Sequence, residues 1–194
     1  MTMELNLPTY LTLMRIALIP VLVAFFYVPW GWTHITCAAI FTVAGITDWL
    51  DGYLARRLNQ TTRFGAFLDP VADKLMVSVA LVLIVQADPT PYVAIAAAII
   101  IGREITVASL REWMAEIGQR GKVEVSQLGK WKTTVQMASI IILLVSMDPL
   151  LEEFKIPGRW LLLLAALLTL WSMTLYLIAA IPALKNEENV LTKN

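Results

Sequence analysis

Six mostly apolar stretches, each about 20 residues long, divide the chain, and short polar connections separate them. They run from about Leu7 to Val28, Thr33 to Leu54, Leu68 to Ala87, Tyr92 to Ala115, Gly129 to Met147 and Pro157 to Ile181. About 20 such residues suffice for a helix to cross a bilayer. In hydrocarbon every backbone N–H and C=O must be satisfied inside the protein, so α-helices are the expected elements. Pro29-Trp30-Gly31 and Asp88-Pro89 stand where the first and third stretches stop. The pattern predicts an all-α integral membrane protein with six transmembrane helices. It makes residues 1–185 a single domain and residues 186–194 a polar C-terminal tail, with no internal repeat or linker.

Composition agrees. Hydrophobic residues make up 58% of the 194 positions and charged residues 15%, where a soluble domain carries about 25%. Mean hydropathy is +0.70. Fifteen basic residues balance fifteen acidic ones, so net charge indicates no partner, and a nucleic-acid partner is not expected. Charge placement is more informative. Arg56, Arg57 and Arg63 lie in the second-to-third connection, Arg111, Arg120, Lys122, Lys130 and Lys132 in or beside the fourth-to-fifth, and Lys185 and Lys193 near the C-terminus. The first-to-second and third-to-fourth connections have none. By the positive-inside rule both termini are cytoplasmic. The tryptophans, Trp30, Trp32, Trp113 and Trp160 among them, suit interfacial belts. No basic segment precedes the first apolar stretch, and Glu4 stands there, which argues against a cleavable signal. Cys37 is alone and reads as a buried, inert thiol. His34, the single histidine, falls at the opposite membrane face and reads as structural.

Four aspartates interrupt this oily background: Asp48, Asp51, Asp69 and Asp73. Carboxylates at membrane depth are costly unless they face a cavity or a partner. Asp48 and Asp51 are three apart and Asp69 and Asp73 four apart, so each pair shares a helical face. The two helices are antiparallel and closely linked, so the faces can converge. Four carboxylates in one small volume call for compensating charge. Divalent cations suit them, and a metal pair about 4 Å apart can clamp a phosphoryl group. No His/Cys cluster is present, which argues against zinc. Gly52, Ala55 and Gly65 are small enough to admit a ligand near the backbone, and Arg56 is placed to meet a phosphate. Asp69-Pro70 also reads as an N-cap followed by a first-turn proline.

The string Asp48-x2-Asp51-Gly52-x2-Ala55-Arg56-x8-Gly65-x3-Asp69-x3-Asp73 resembles, at all eight fixed positions, the signature of the CDP-alcohol phosphotransferases. Flanking segments extend the resemblance: Asn6-x-Pro8-x3-Thr12-x2-Arg15, Arg103-Glu104, Arg111-Glu112-Trp113 and Gly129-Lys130-x-Lys132-Thr133-x2-Gln136. Thr9 departs, since many relatives carry Asn after the proline. The resemblance implies transfer of a phosphatidyl group from CDP-diacylglycerol to an alcohol with release of CMP. It implies two divalent cations, Mg2+ or Mn2+. Asp48, Asp51 and Asp69 would ligate one, and Asp48, Asp69 and Asp73 the other, with Asp73 as general base. Asn6, Thr12, Gly52, Ala55, Arg56 and Gly65 would bind the cytidine diphosphate.

The acceptor rests on other residues. A phosphorylated acceptor is a dianion and needs a fixed basic pocket beside the acidic site. Arg103, Arg111, Lys130 and Lys132 stand on the right side for it, and the resemblance favours sn-glycerol 3-phosphate. Arg120 and Lys122 read as topogenic charges facing lipid headgroups. A related enzyme with another acceptor, making cardiolipin or phosphatidylserine, is the alternative. A divalent-cation transporter would distribute carboxylates through the membrane or repeat its helices in inverted order, and neither pattern is present. The resemblance further implies a homodimer in a bacterial cytoplasmic membrane, with the site facing the cytoplasm.

Overall fold

The computed structural model describes residues 6–58, 62–116 and 127–191. Among them are six long helices: α1 (Leu7–Phe26), α2 (Thr33–Leu58), α3 (Arg63–Ala87), α4 (Pro91–Glu116), α5 (Gln127–Val145) and α6 (Lys155–Leu191). A short 3-10 turn, Pro149–Phe154, joins α5 to α6. By length and apolar composition three segments can cross a membrane: Thr9–Phe26, Pro91–Glu116 and Pro149–Ile178. Trp131–Val145 is apolar but shorter. α6 continues to Leu191, into the stretch expected as a polar tail.

The helices close into a ring. α1 packs on α2 and α3, α3 on α4, α4 on α6, α6 on α5, and α5 back on α2. The shared core includes Leu22, Phe41, Met76, Leu81, Ile84, Ile100, Ile140, Leu144 and Leu162. Small residues let the backbones approach: Ala38, Ala44, Ala80, Ala96, Ala97, Ala165 and Ala166 are all buried. Outward faces are greasy, with Val43, Val82, Ile95, Ile105, Leu167 and Trp171 exposed, which suits a lipid surround. Cys37 is buried with a free thiol, and its sulfur lies 3.8 Å from the Leu22 carbonyl oxygen.

Helix α3 starts earlier than its sequence suggests. Thr62, in extended conformation, is the N-cap, and its Oγ1 accepts from Gly65 N at 2.9 Å. Asp69 and Pro70 therefore lie inside the helix rather than at its start, because a good cap is available seven residues upstream of Asp69. The consequence is functional: Asp69 is held by a formed helix. α1 is capped by Asn6, whose Oδ1 accepts from Thr9 N at 3.2 Å and from Thr9 Oγ1 at 2.7 Å. Thr9 and Thr62 hydroxyls meet at 3.1 Å, tying the first turn of α1 to that of α3.

The far end is clamped separately. Arg159 Nε and Nη2 donate to the two oxygens of Asp88 at 2.7 and 2.6 Å, linking the end of α3 to the start of α6. This bidentate bond holds the Asp88 carboxyl below its ordinary pKa. His34 packs edge-on to Phe26 and lines a cavity at this end with Asp88, Asp148, Glu152 and Lys155.

Two predictions follow from these joints. A Cβ at Gly65 would stand 2.9 Å from both the Thr62 and the Thr9 hydroxyl oxygens. Gly65→Ala is therefore expected to destabilise the protein by about 1–3 kcal/mol, and adding Thr9→Ala should recover part of the loss. Melting of the purified variants in detergent, without nucleotide, reads this; additive losses would reject the crowding account. The second concerns acid. A depressed folded-state pKa contributes stability above the unfolded value of about 3.9, and that contribution is lost as pH falls through the folded value. Asp88→Asn should lower the melting temperature at neutral pH and flatten its decline below about pH 4.

Candidate active site

At the other end of the ring lies a buried arginine. Arg15 is the one charged residue in the first apolar stretch, and it is 1% exposed. Its Nη1 stands 2.6 Å from Asp48 Oδ1 and 3.3 Å from Asp69 Oδ1, and its Nη2 pairs with Asp51 Oδ2. Three helices thus meet on one guanidinium: α1 supplies the cation, α2 two carboxylates and α3 the third. Helical spacing explains the pairing on α2, where Asp48 and Asp51 share a face. Asp51 is buried beneath, whereas the side chains of Asp48 and Asp69 remain 41% and 45% exposed. They form the open rim of the cluster. Thr12 is buried one turn before Arg15 on α1.

One oxygen each from Asp48, Asp51 and Asp69 lies within 4.8 Å of the others. That donor set is all carboxylate. It fits a hard divalent cation rather than a soft one. Formal charge agrees: three carboxylates and one guanidinium sum to −2, the charge a divalent ion neutralises. Asp73 does not belong to this close group. It lies one turn further along α3, within electrostatic reach of Asp48, Asp69, Arg15 and Glu104.

Beyond Asp73 opens a cavity of about 200 Å³. Lys74, Arg103, Glu104, Arg111, Lys132 and Tyr176 line it along with Asp73. The expected acceptor residues Arg103, Arg111 and Lys132 therefore converge, although they come from α4 and α5. Glu104 organises two of them, its Oε1 accepting from Arg103 Nη1 at 2.8 Å and from Lys132 Nζ at 2.6 Å. Arg111 Nη2 donates to the Tyr176 hydroxyl at 2.9 Å. Among the described residues, four cations and two carboxylates line the cavity, an excess of +2 beside a triad of −2.

Arg57 donates to the Tyr53 hydroxyl at 2.9 Å. Gly52, Ala55 and Arg56 are on α2 and Lys130 on α5, but their side chains lie outside the described residues, as do Arg120 and Lys122 altogether. Asn6 and Gly65, expected at the nucleotide, take part in the joint between the starts of α1 and α3. Sequence reasoning assigned Arg15 no role and overlooked Tyr176. The signal for Arg15 was present: a lone charge deep in an apolar span requires a partner.

The family model described as CDP-alcohol phosphatidyltransferase matches residues 5–171. Three bacterial proteins named CDP-diacylglycerol--glycerol-3-phosphate 3-phosphatidyltransferase are similar over 178 residues. They are 52% identical in Sodalis glossinidius, 54% in Yersinia enterocolitica and 53% in Pectobacterium atrosepticum. Each comparison takes in 92% of this chain and 96% of the relative. The matched region contains the whole aspartate string and the cation-lined cavity up to α6. On that extent of likeness the chain belongs to the CDP-alcohol phosphatidyltransferase family.

Proposed function

We propose that this membrane enzyme transfers the phosphatidyl group of CDP-diacylglycerol to sn-glycerol 3-phosphate, yielding phosphatidylglycerol phosphate and CMP. The names borne by the three relatives support it. The observation that supports it is the pairing of an anionic carboxylate cluster with a cavity of excess positive charge, with Asp73 beside both. A phosphomonoester dianion suits such a cavity. A neutral acceptor such as inositol would leave its cations unmatched.

Asp48, Asp51 and Asp69 would hold one divalent cation, and Asp48, Asp69 and Asp73 a second, Mg2+ or Mn2+. When bound, the ions offset charge on the phosphoryl oxygens and on departing CMP. Asn6, Thr12, Gly52, Ala55, Arg56 and Gly65 form the cytidine diphosphate side. Arg103, Arg111, Lys130 and Lys132 hold the acceptor phosphate, which aims its free hydroxyl towards Asp73. Asp73 takes the hydroxyl proton as the oxygen attacks the β-phosphorus. The new P–O bond forms, the bond to CMP breaks, and CMP leaves with the electron pair. No covalent enzyme intermediate is needed, and no Ser, Cys or His nucleophile lines the described cavity.

The six helices would all cross a bacterial cytoplasmic membrane, with both termini and the site on the cytoplasmic side, as the positions of Lys and Arg favour. Residues 1–185 would form the catalytic domain, residues 186–194 its polar end, and the working unit would be a homodimer.

Purified protein given CDP-diacylglycerol, magnesium or manganese and labelled glycerol 3-phosphate is expected to make labelled lipid and release CMP. A chelator should abolish this, and either ion should restore it. Equal use of serine or inositol would overturn the acceptor assignment. Asp73→Asn should cut turnover by about a hundredfold or more while leaving the melting temperature in place, and retained turnover would remove Asp73 as the base.

A further inference from the structure

Tyr176 belongs to no motif, yet it stands where the cationic cavity is held together. It is 9% exposed and lies on α6, packed with Val107 and Met114 of α4. Its hydroxyl accepts from Arg111 Nη2 at 2.9 Å. Its ring centre lies 5.3 Å from the Arg111 guanidinium carbon and 5.8 Å from that of Arg103. One turn earlier on α6, Ser172 Oγ accepts from Arg103 Nη2 at 3.2 Å. α6 therefore contributes two polar contacts and a ring to the two arginines of α4.

The arrangement addresses a physical difficulty. Two guanidiniums beside one small cavity repel each other, and each long side chain loses rotamer freedom when it is ordered. Arg103 has a counter-ion in Glu104. For Arg111, the described polar contact is the Tyr176 hydroxyl. That bond can fix the direction of the guanidinium without cancelling its charge. A carboxylate in the same place would neutralise the group meant for a phosphate.

We propose that Tyr176 is a positioning residue for the acceptor phosphate, acting through Arg111 and, by its ring face, through Arg103. It presets the arginines in the spacing a phosphomonoester dianion requires, so that less ordering is left for binding. This rests on the reading of the cavity as the acceptor-phosphate site. Tyr176 touches neither the carboxylate triad nor Asp73 in any described contact, so its effect is confined to the acceptor.

Tyr176→Phe removes the hydroxyl and keeps the ring; Tyr176→Leu removes both. The expected result is a KM for glycerol 3-phosphate raised about tenfold in the Phe variant, the size of one charge-assisted hydrogen bond, and further in the Leu variant. The KM for CDP-diacylglycerol and kcat should stay within about twofold of the parent, since binding, not chemistry, is altered. Inhibition by inorganic phosphate, competitive with glycerol 3-phosphate, should weaken in parallel. Unchanged acceptor KM in the Phe variant, or equal shifts for both substrates, would overturn the proposal. Failure of the underlying reading shows in the parent enzyme instead, as an acceptor KM no lower for glycerol 3-phosphate than for glycerol; that outcome overturns the proposal as well.

Discussion

The structure depends on charge compensation at depth. Arg15 inserts one guanidinium among Asp48, Asp51 and Asp69, and removing either side would leave unpaired charge in a medium that tolerates it poorly. This contact fixes how α1, α2 and α3 sit against one another at the functional end. It also fixes which carboxylates face outward. Asp51 lies on the buried side, and Asp48 and Asp69 stand at the rim.

The site has two halves of opposite sign, built from different parts of the chain. The acidic half comes from α1, α2 and α3. The basic half comes mainly from α4 and α5 and is steadied from α6. Asp73 joins them because α3 packs against α4 and presents Asp69 and Asp73 one turn apart. The proposed transfer between two anionic substrates needs such an arrangement. Cation-binding carboxylates and cationic side chains must lie close without collapsing onto each other, and here Glu104 and Tyr176 occupy most of the cations' fixed contacts.

Much of this was legible in the residues. Apolar runs of membrane length, broken at Pro29-Trp30-Gly31 and Asp88-Pro89, located the helices to within a few residues at most ends. The aspartate spacing located the triad, since two short-range pairs on neighbouring helices have few ways to diverge. The start of α3 was misplaced because Asp69-Pro70 is a good local cap signal, yet Thr62 offers an equally good one earlier, and pairing with Thr9 of another helix favours it. Such a choice is tertiary. Helix α6 runs on to Leu191 because polarity ends a membrane span but does not end a helix. The Arg111–Tyr176 bond joins positions 65 apart in sequence, and no local pattern encodes it.

The location of Arg15 also bears on synthesis. Chains emerge N-terminus first, and Arg15 leads Asp48, Asp51 and Asp69 in sequence. The counter-charge is therefore already made when the acidic helices follow. The first three helices can pair their charges before any basic residue of α4 or α5 exists.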